Sequence, residues 1–133
     1  QGKVAQEYGL KLSLHNHYNS PVMHREDLRV FFEAADEGTV GLTVDTAHLH
    51  VSGVTDIAGA IVEFAPVIDN YHLKDFRNGG FEVLGRGEID FEAIFRAIIA
   101  TGYDGWVSSD EESGCDLVEA MEICHDILAA RLR

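Results

Sequence analysis

The sequence is poor in basic residues, and it contains no long hydrophobic run. Ten Lys and Arg residues face 23 Asp and Glu residues, so the formal net charge of the 133-residue chain is −13 at pH 7. Because nucleic-acid binding relies on clustered Lys and Arg side chains, this balance disfavours DNA or RNA as a partner. No apolar stretch reaches the length of a membrane span, and no secretion signal opens the chain, so we expect a soluble protein without a membrane partner.

Cysteine is scarce as well, since the chain contains only Cys115 and Cys124. The two lie nine residues apart on what the sequence predicts to be one helix, which is too far along the helix axis for a disulfide. Two free thiols are typical of a reducing compartment, and we therefore predict a cytoplasmic protein.

What remains is the composition of one globular domain over residues 1–133, with 46% hydrophobic residues. Short apolar runs typical of strands alternate with longer segments whose apolar residues recur at helical spacing. After a short leading helix, the predicted strands are 9–15, 40–45, 67–73 and 105–109, and the predicted helices are 26–35, 56–64, 91–100 and 117–131. The expected N-cap of helix 56–64 is Thr55 or Asp56, and that of helix 91–100 is Asp90. This order predicts an α/β fold with parallel strands and helices packed outside them.

Each predicted strand ends in imidazole or carboxylate side chains. In chain order these are His15 and His17, then Asp45 with His48, then His72 with Lys74 and Asp75, and finally Asp110, Glu111 and Glu112. A single histidine at a strand end is more often solvated or hydrogen-bonded than functional. Because the carboxyl ends of parallel strands share one edge of the sheet, four such coincidences favour a metal site there.

The predicted ligands combine nitrogen and oxygen donors. Imidazole suits transition metals and carboxylates suit Mn²⁺ or Mg²⁺, so we expect a divalent cation such as Mn²⁺, Mg²⁺, Co²⁺ or Zn²⁺. No cysteine lies near these strand ends, which disfavours a structural zinc site. An open site of this kind can polarise a carbonyl or hydroxyl of a sugar or polyol while a neighbouring side chain moves the proton.

Four motifs resemble the xylose-isomerase-like sugar isomerase and epimerase superfamily of TIM barrels. They are "VDTAHL" (44–49), "YHLKDF" (71–76), "LGRGEIDF" (84–91) and "GYDGWVSSDEE" (102–112), and they span most of the chain in the family's order. The resemblance implies a (βα)4 half of a (β/α)8 barrel, containing the last four of its eight strands. An isolated half would leave two open sheet edges. Either a second copy closes the barrel as a homo-oligomer, or the partner half has been lost.

The resemblance also implies one metal ligand from each of four consecutive strands. Asp45 and His72 match the second and third ligands of the family. The fourth is Asp110 by register, with Glu111 as the alternative. The first ligand of the epimerases is usually a glutamate, and here His15 stands in its place.

The resemblance and one glycine-rich turn supply further candidate site residues. His15, Asp110 and Glu111 are the predicted catalytic residues. His17, His48 and Lys74 are predicted to hold the substrate or to move protons. Arg86, in the Gly-Arg-Gly turn, is a candidate for a substrate phosphate, although a tight turn is the more common meaning of that pattern.

The reaction type stays open between three members of the superfamily. Epimerases use two glutamates as acid and base, and His15 prevents that mechanism from being carried over. The His-x-His strand is closer to the inosose dehydratase branch, in which water is eliminated. The endonuclease IV-like branch needs several metals and a basic groove, which the net charge of −13 disfavours. A metal-binding half-barrel without turnover is the non-enzymatic alternative.

The sequence predicts structural roles, and no part in the site, for two other residues. Trp106 is expected in the core, beside the last strand. Asp116 is expected on the solvated face of the last helix with other acidic residues.

Overall fold

The computed structural model describes residues 1–132. The helices in this range are α1 (Gly2–Glu7), α2 (Arg25–Ala34), α3 (Thr46–Val51), α4 (Ile57–Phe64), α5 (Phe91–Ala100) and α6 (Leu117–Arg131). The strands are β1 (Ser13–His15), β2 (Gly41–Asp45), β3 (Ile68–Leu73), β4 (Asp75–Arg77), β5 (Gly80–Glu82) and β6 (Trp106–Ser109). Within residues 1–132, no helix combines the length and hydropathy needed to cross a membrane.

Four of the strands form one parallel sheet in the order β1-β2-β3-β6. Asp45 lies opposite His72 in the pairing of β2 with β3, and Leu73 lies opposite Ser109 in the pairing of β3 with β6. This confirms the predicted α/β fold with parallel strands joined through helices. The carboxyl ends of all four strands therefore meet at one edge of the sheet.

The hydrophobic core lies between one face of this sheet and the helices. Val44 and Tyr71 project from β2 and β3 into a buried cluster that includes Ile61 of α4 and Ile94 and Ile98 of α5. Ile94 and Ile98 are one helical turn apart, so a single stripe of α5 faces the sheet. Burying this stripe is what holds the helix against the strands.

The opposite face of the sheet is polar. The Ser13 hydroxyl lies 2.8 Å from the Thr43 hydroxyl and donates a hydrogen bond to Asp69 Oδ1 at 2.7 Å. Residues two apart along a strand share a face, so His15 and Asp45, which follow Ser13 and Thr43, lie on this same side. The polar face therefore continues at the strand ends as a row of ionisable side chains.

Aspartates form the N-caps of four helices, α3 to α6. Asp56 accepts the Gly59 amide at the start of α4, so Asp56 and not Thr55 is the cap there, and Asp90 accepts the Ala93 amide at the start of α5 as predicted. Asp116 accepts the Glu119 amide as the N-cap of α6; it is exposed, as predicted, but it precedes the helix and does not lie on its outer face. Its carboxylate instead satisfies a backbone donor that the first turn leaves free.

Other differences from the sequence prediction are local. β1 is three residues long instead of seven, and Cys115 lies before α6 rather than on it, although both cysteines are free thiols as predicted. Trp106 is 82% exposed and is not a core residue. It lies in β6, which pairs only with β3 among the described strands, so no second neighbour covers it.

Helix α3 and the hairpin of β4 and β5 were not predicted. The hairpin turns at Asn78 and Gly79, both with positive φ. Asn-Gly is the strongest short sequence signal for such a turn, because both positions must adopt left-handed backbone conformations. That dipeptide was the signal from which the hairpin could have been found.

Candidate metal centre

Three of the four predicted metal ligands converge at the ends of β1, β2 and β3. His15, Asp45 and His72 each offer one ligand atom, and the three atoms lie within 4.8 Å of one another. His15 Nε2 is 3.4 Å from Asp45 Oδ2, and the rings of His15 and His72 have centroids 5.0 Å apart. The parallel register produces this convergence, because it brings the last side chains of neighbouring strands to one point.

Asp45 is fixed in place at several atoms. Its backbone amide donates to Asn16 Oδ1 at 2.9 Å, and its backbone carbonyl accepts from Asn16 Nδ2 at 3.0 Å. Its Oδ1 accepts the His48 amide at 2.9 Å as the N-cap of α3, which leaves Oδ2 directed toward His15. Asn16 is fully buried and was not predicted, although its place between His15 and His17 was a usable signal.

Asp45 is held as a carboxylate. Burial on its own raises the pKa of Asp45, but the hydrogen bonds from His15 and from the His48 amide, with the charge of Lys74, hold the pKa below its usual range. A buried, ionised carboxylate requires cationic or hydrogen-bonding partners. Oδ2, the oxygen that is not used by the helix cap, is therefore a suitable ligand for a cation.

His72 supplies an independent indication of a cation site. Its Nδ1 is buried and lacks a hydrogen-bond partner within the described part of the chain. The Asp110 Oδ2 atom is 3.5 Å away from this nitrogen, too far for a strong hydrogen bond. An unpaired buried donor or acceptor is costly, whereas a metal ion between these two atoms would satisfy both. The residues present thus fit a divalent cation with mixed nitrogen and oxygen ligands.

Lys74 occupies the space between the triad and the fourth predicted ligand. Its Nζ lies 2.8 Å from Asp110 Oδ2 and 3.6 Å from Asp45 Oδ2, and it is also bonded to Glu112. Burial lowers the pKa of Lys74, but its hydrogen bonds to Asp110 and Glu112 outweigh burial and raise the pKa above the usual lysine value. Asp110 is therefore adjacent to the triad but paired with an ammonium group.

Glu112 is one of the predicted strand-end carboxylates but received no role from the sequence, and the structure places it, and not its neighbour Glu111, on Lys74. Glu111 Oε1 accepts the Ser113 amide at 2.6 Å and is also bonded to the Ser113 hydroxyl. This loop contact neither supports nor contradicts the two predicted roles of Glu111, as catalytic residue and as alternative ligand, which stay predictions.

Arg86 pairs with a carboxylate of α6. Its Nη2 atom is 3.2 Å from Glu119 Oε1 on α6, and both side chains are largely exposed. The glycines on either side of Arg86 donate their amides to the buried Asp75, which shapes the turn. The turn is thus explained by local hydrogen bonds, and the predicted contact of Arg86 with a substrate stays a prediction.

Two further predicted residues, His17 and His48, form a ring pair beside the triad. Their ring centroids are 3.8 Å apart, and His17 lies 5.9 Å from the ring of His15. His48 is buried, its Nδ1 has no hydrogen-bond partner in residues 1–132, and burial lowers its pKa. A neutral imidazole with a free nitrogen can accept or pass on a proton.

Phe81 of the unpredicted hairpin closes one side of this group. Its ring centroid is 5.4 Å from that of His48 and 4.6 Å from Lys74 Nζ, which lies over the ring. The contact is a cation–π interaction within the usual distance. The strand ends and the hairpin therefore bring together the three candidate metal ligands, an imidazole pair and one ammonium group.

Comparisons with known proteins agree with this architecture. The family model described as "Xylose isomerase-like TIM barrel" matches residues 2–127. The chain is 32% identical over 130 residues to the inosose dehydratase of Clostridium beijerinckii, covering 84% of this chain and 43% of that protein. In an alignment 153 positions long, it is 28% identical to the inosose dehydratase of Lactiplantibacillus plantarum. That alignment covers 98% of this chain and 51% of that protein.

Solved structures show the same fold. A probable 3-DHS dehydratase from Bacillus anthracis superposes with a TM-score of 0.83 at 16% identity, covering 96% of this chain and 52% of that one. An L-ribulose 3-epimerase superposes with a TM-score of 0.73 at 26% identity, covering 94% of this chain and 42% of that one. The chain thus spans about half the length of its relatives, in agreement with the predicted half-barrel. The chain belongs to the xylose isomerase-like TIM barrel family, and its four parallel strands make up half of such a barrel.

Proposed function

We propose that this chain is the metal-binding half of an enzyme that moves a proton next to the carbonyl of a keto sugar or polyol, as sugar isomerases and epimerases do. The observation that carries the proposal is the convergence of His15, Asp45 and His72 from three neighbouring strands within 4.8 Å. The likeness to inosose dehydratases and to an L-ribulose 3-epimerase supports a small polyhydroxylated substrate.

In this proposal His15, Asp45 and His72 hold one divalent cation, with Asp110 as the fourth ligand. Mn²⁺, Mg²⁺, Co²⁺ and Zn²⁺ are the candidates, because the donors are imidazoles and carboxylates. When bound, such a cation supplies Lewis-acid polarisation of a carbonyl, which makes the neighbouring C–H bond more acidic.

The side chains around the ligands then divide the remaining tasks. His48 accepts the proton, because its buried Nδ1 is free and its lowered pKa keeps the ring neutral. His17, exposed and packed against the His48 ring, holds the substrate at the open side of the site. Lys74 donates a hydrogen bond to a substrate oxygen, and Phe81 shields one side of the site from water.

Dehydration is the second candidate. The replacement of the epimerases' first glutamate by His15 favours it, and so does the likeness to inosose dehydratases. In this reaction a C–H proton is removed next to the carbonyl, a hydroxide leaves the adjacent carbon as water after protonation, and a carbon–carbon double bond forms. The first step is the same as in epimerisation, so one set of residues serves either outcome.

A substrate panel tests the proposal. We would load the protein with each of the four metals and offer keto sugars and inososes, following epimers by chromatography and the dehydrated product by its ultraviolet absorbance. Conversion that His72→Ala abolishes supports the enzyme, and the product distinguishes the two reactions. Metal binding without any conversion would contradict it and leave a metal-binding half-barrel without turnover.

The proposal includes completion of the barrel. Within residues 1–132, β1 and β6 each pair on one side only, and relatives of this chain are about twice as long. Four further strands would cover both edges, and we propose that a second copy of the chain can supply them. The cytoplasmic location stays a prediction.

A further inference from the structure

Lys74 is an ammonium group inside an anionic cluster. Its side chain is 2% exposed, and its Nζ contacts carboxylates from the end of β2 and from the loop after β6, namely Asp45, Asp110 and Glu112. Its backbone is fixed too, because the Lys74 carbonyl accepts the Thr46 hydroxyl at 2.7 Å. The chain thus carries its own cation next to the three metal ligands.

Asp110 lies close to two partners, Lys74 and His72. Its Oδ2 is 2.8 Å from Lys74 Nζ and 3.5 Å from His72 Nδ1, so one oxygen faces both the ammonium and the orphaned ring nitrogen. If this oxygen coordinates a cation held by His72, its hydrogen bond to Lys74 must weaken or break. A divalent ion and an ammonium group so close together also repel each other.

Glu112 offers Lys74 an alternative. It is bonded to the same Nζ from the outer side, and its side chain is half exposed, so it can follow a small movement of the ammonium group. The ring of Phe81, 4.6 Å from Nζ, faces the ammonium group as well. Lys74 therefore keeps two favourable contacts when Asp110 turns away.

We propose that Lys74 is the internal counter-cation of the metal-free centre and that it sets the centre's metal affinity by competing for Asp110, with Glu112 as its second partner. The inference rests on the proposed metal centre and deepens it. In metal-free protein Lys74 neutralises Asp45 and Asp110, and in metal-loaded protein it is held by Glu112.

The competition predicts shifts of opposite sign for two substitutions. Lys74→Met removes the competitor and tightens Mn²⁺ binding about tenfold, since a charge-assisted hydrogen bond to Asp110 no longer has to be given up. Glu112→Gln weakens the second partner, holds Lys74 on Asp110 and loosens Mn²⁺ binding by a factor of about three to ten. Calorimetric titration of the chelator-stripped full chain measures both affinities.

Double variants separate competition from a simple charge effect. If Glu112 acts through Lys74, Glu112→Gln has no effect on Mn²⁺ affinity in the Lys74→Met background. It also has no effect in the Asp110→Asn background, where nothing is left to compete for. This second background retains Lys74, so it provides the test if Lys74→Met does not fold. Lys3→Met is the matched control, because it removes the same charge from an exposed ion pair with Asp36. This variant is expected to leave Mn²⁺ affinity unchanged.

Thermal unfolding gives a second readout. Lys74→Met lowers the melting temperature of metal-free protein more than that of Mn²⁺-saturated protein, because the ion then replaces the missing charge. Equal Mn²⁺ affinities in wild type and in the single variants overturn the inference and leave the metal centre standing. A Glu112→Gln effect that persists in both double variants also overturns it. Absence of Mn²⁺ binding in every protein overturns the metal centre and this inference together.

Discussion

Asp45 and Lys74 form an ion pair across β2 and β3, with Oδ2 3.6 Å from Nζ and both side chains almost inaccessible to solvent. Buried pairs of this kind contribute little net stability as a unit, but removal of one member leaves an uncompensated charge. The pair therefore links the stability of the strand ends to the chemistry of the proposed centre.

Asp45→Asn is expected to abolish Mn²⁺ binding and to lower the free energy of unfolding by about 1–3 kcal/mol, since Asp110 and Glu112 still neutralise Lys74. The asparagine oxygen can still accept the His48 amide as a cap. Asp45→Ala loses that cap as well and should cost about 1 kcal/mol more. Urea unfolding of both variants measures the difference, and equal stabilities would contradict the role of Asp45 as a cap.

His72→Ala is expected to weaken Mn²⁺ binding by at least about tenfold, because it removes one of the three ligands that converge. His125→Ala is the matched control, since that ring is exposed on α6 and contacts only Asp126 among the described residues. Calorimetry measures the Mn²⁺ affinity of both variants. A similar loss of affinity in both would show that Mn²⁺ binding is not confined to the strand ends.

Glu63 on α4 joins Arg25 and Arg29 of α2, and the hydrogen bond from Arg29 is the main cause of a Glu63 pKa lowered from 4.5 to about 2. A carboxyl group with a lowered pKa in the folded state stabilises the fold above the unfolded pKa, and this stabilisation is lost as the pH falls from 4.5 toward about 2.

Glu63→Gln should therefore destabilise the protein by about 1 kcal/mol at pH 7, allowing for solvent screening of a partly exposed group, and by progressively less as the pH falls. Chemical unfolding at several pH values measures this. Glu33→Gln on α2 serves as the control. A penalty for Glu63→Gln that does not shrink toward acid pH would show that packing, and not the ion pairs, connects α2 to α4.

Trp106 is the only tryptophan, is 82% exposed and lies in the edge strand β6. If a second copy completes the barrel, light scattering at micromolar concentration gives twice the 14.7 kDa chain mass, and Trp106 fluorescence shifts to shorter wavelength as dimers form. Trp106→Glu should yield monomers. A monomeric wild type at all concentrations would indicate that the remaining strands come from elsewhere.

Much of this structure follows from periodicity and register. Alternating strand and helix patterns predict the parallel sheet, and the parallel sheet brings His15, Asp45 and His72 to one edge because register fixes which residue ends each strand. What periodicity does not determine is the choice of partner among neighbouring ionisable groups. The pairing of Lys74 with Glu112, and the turn of Glu111 toward Ser113, depend on loop conformation and on competition between several acceptors within a few ångströms.

The two oxygens of Asp45 serve different elements. Oδ2 faces His15, whereas Oδ1 accepts the amide of His48 at the first turn of α3. A carboxylate is a rigid planar group, so a pull on one oxygen rotates the other. Any ligand of Oδ2 therefore shares this carboxylate with the first turn of α3, which carries the His48 ring that packs against His17. One planar carboxylate thus joins the candidate metal centre to the helix that carries one member of the imidazole pair.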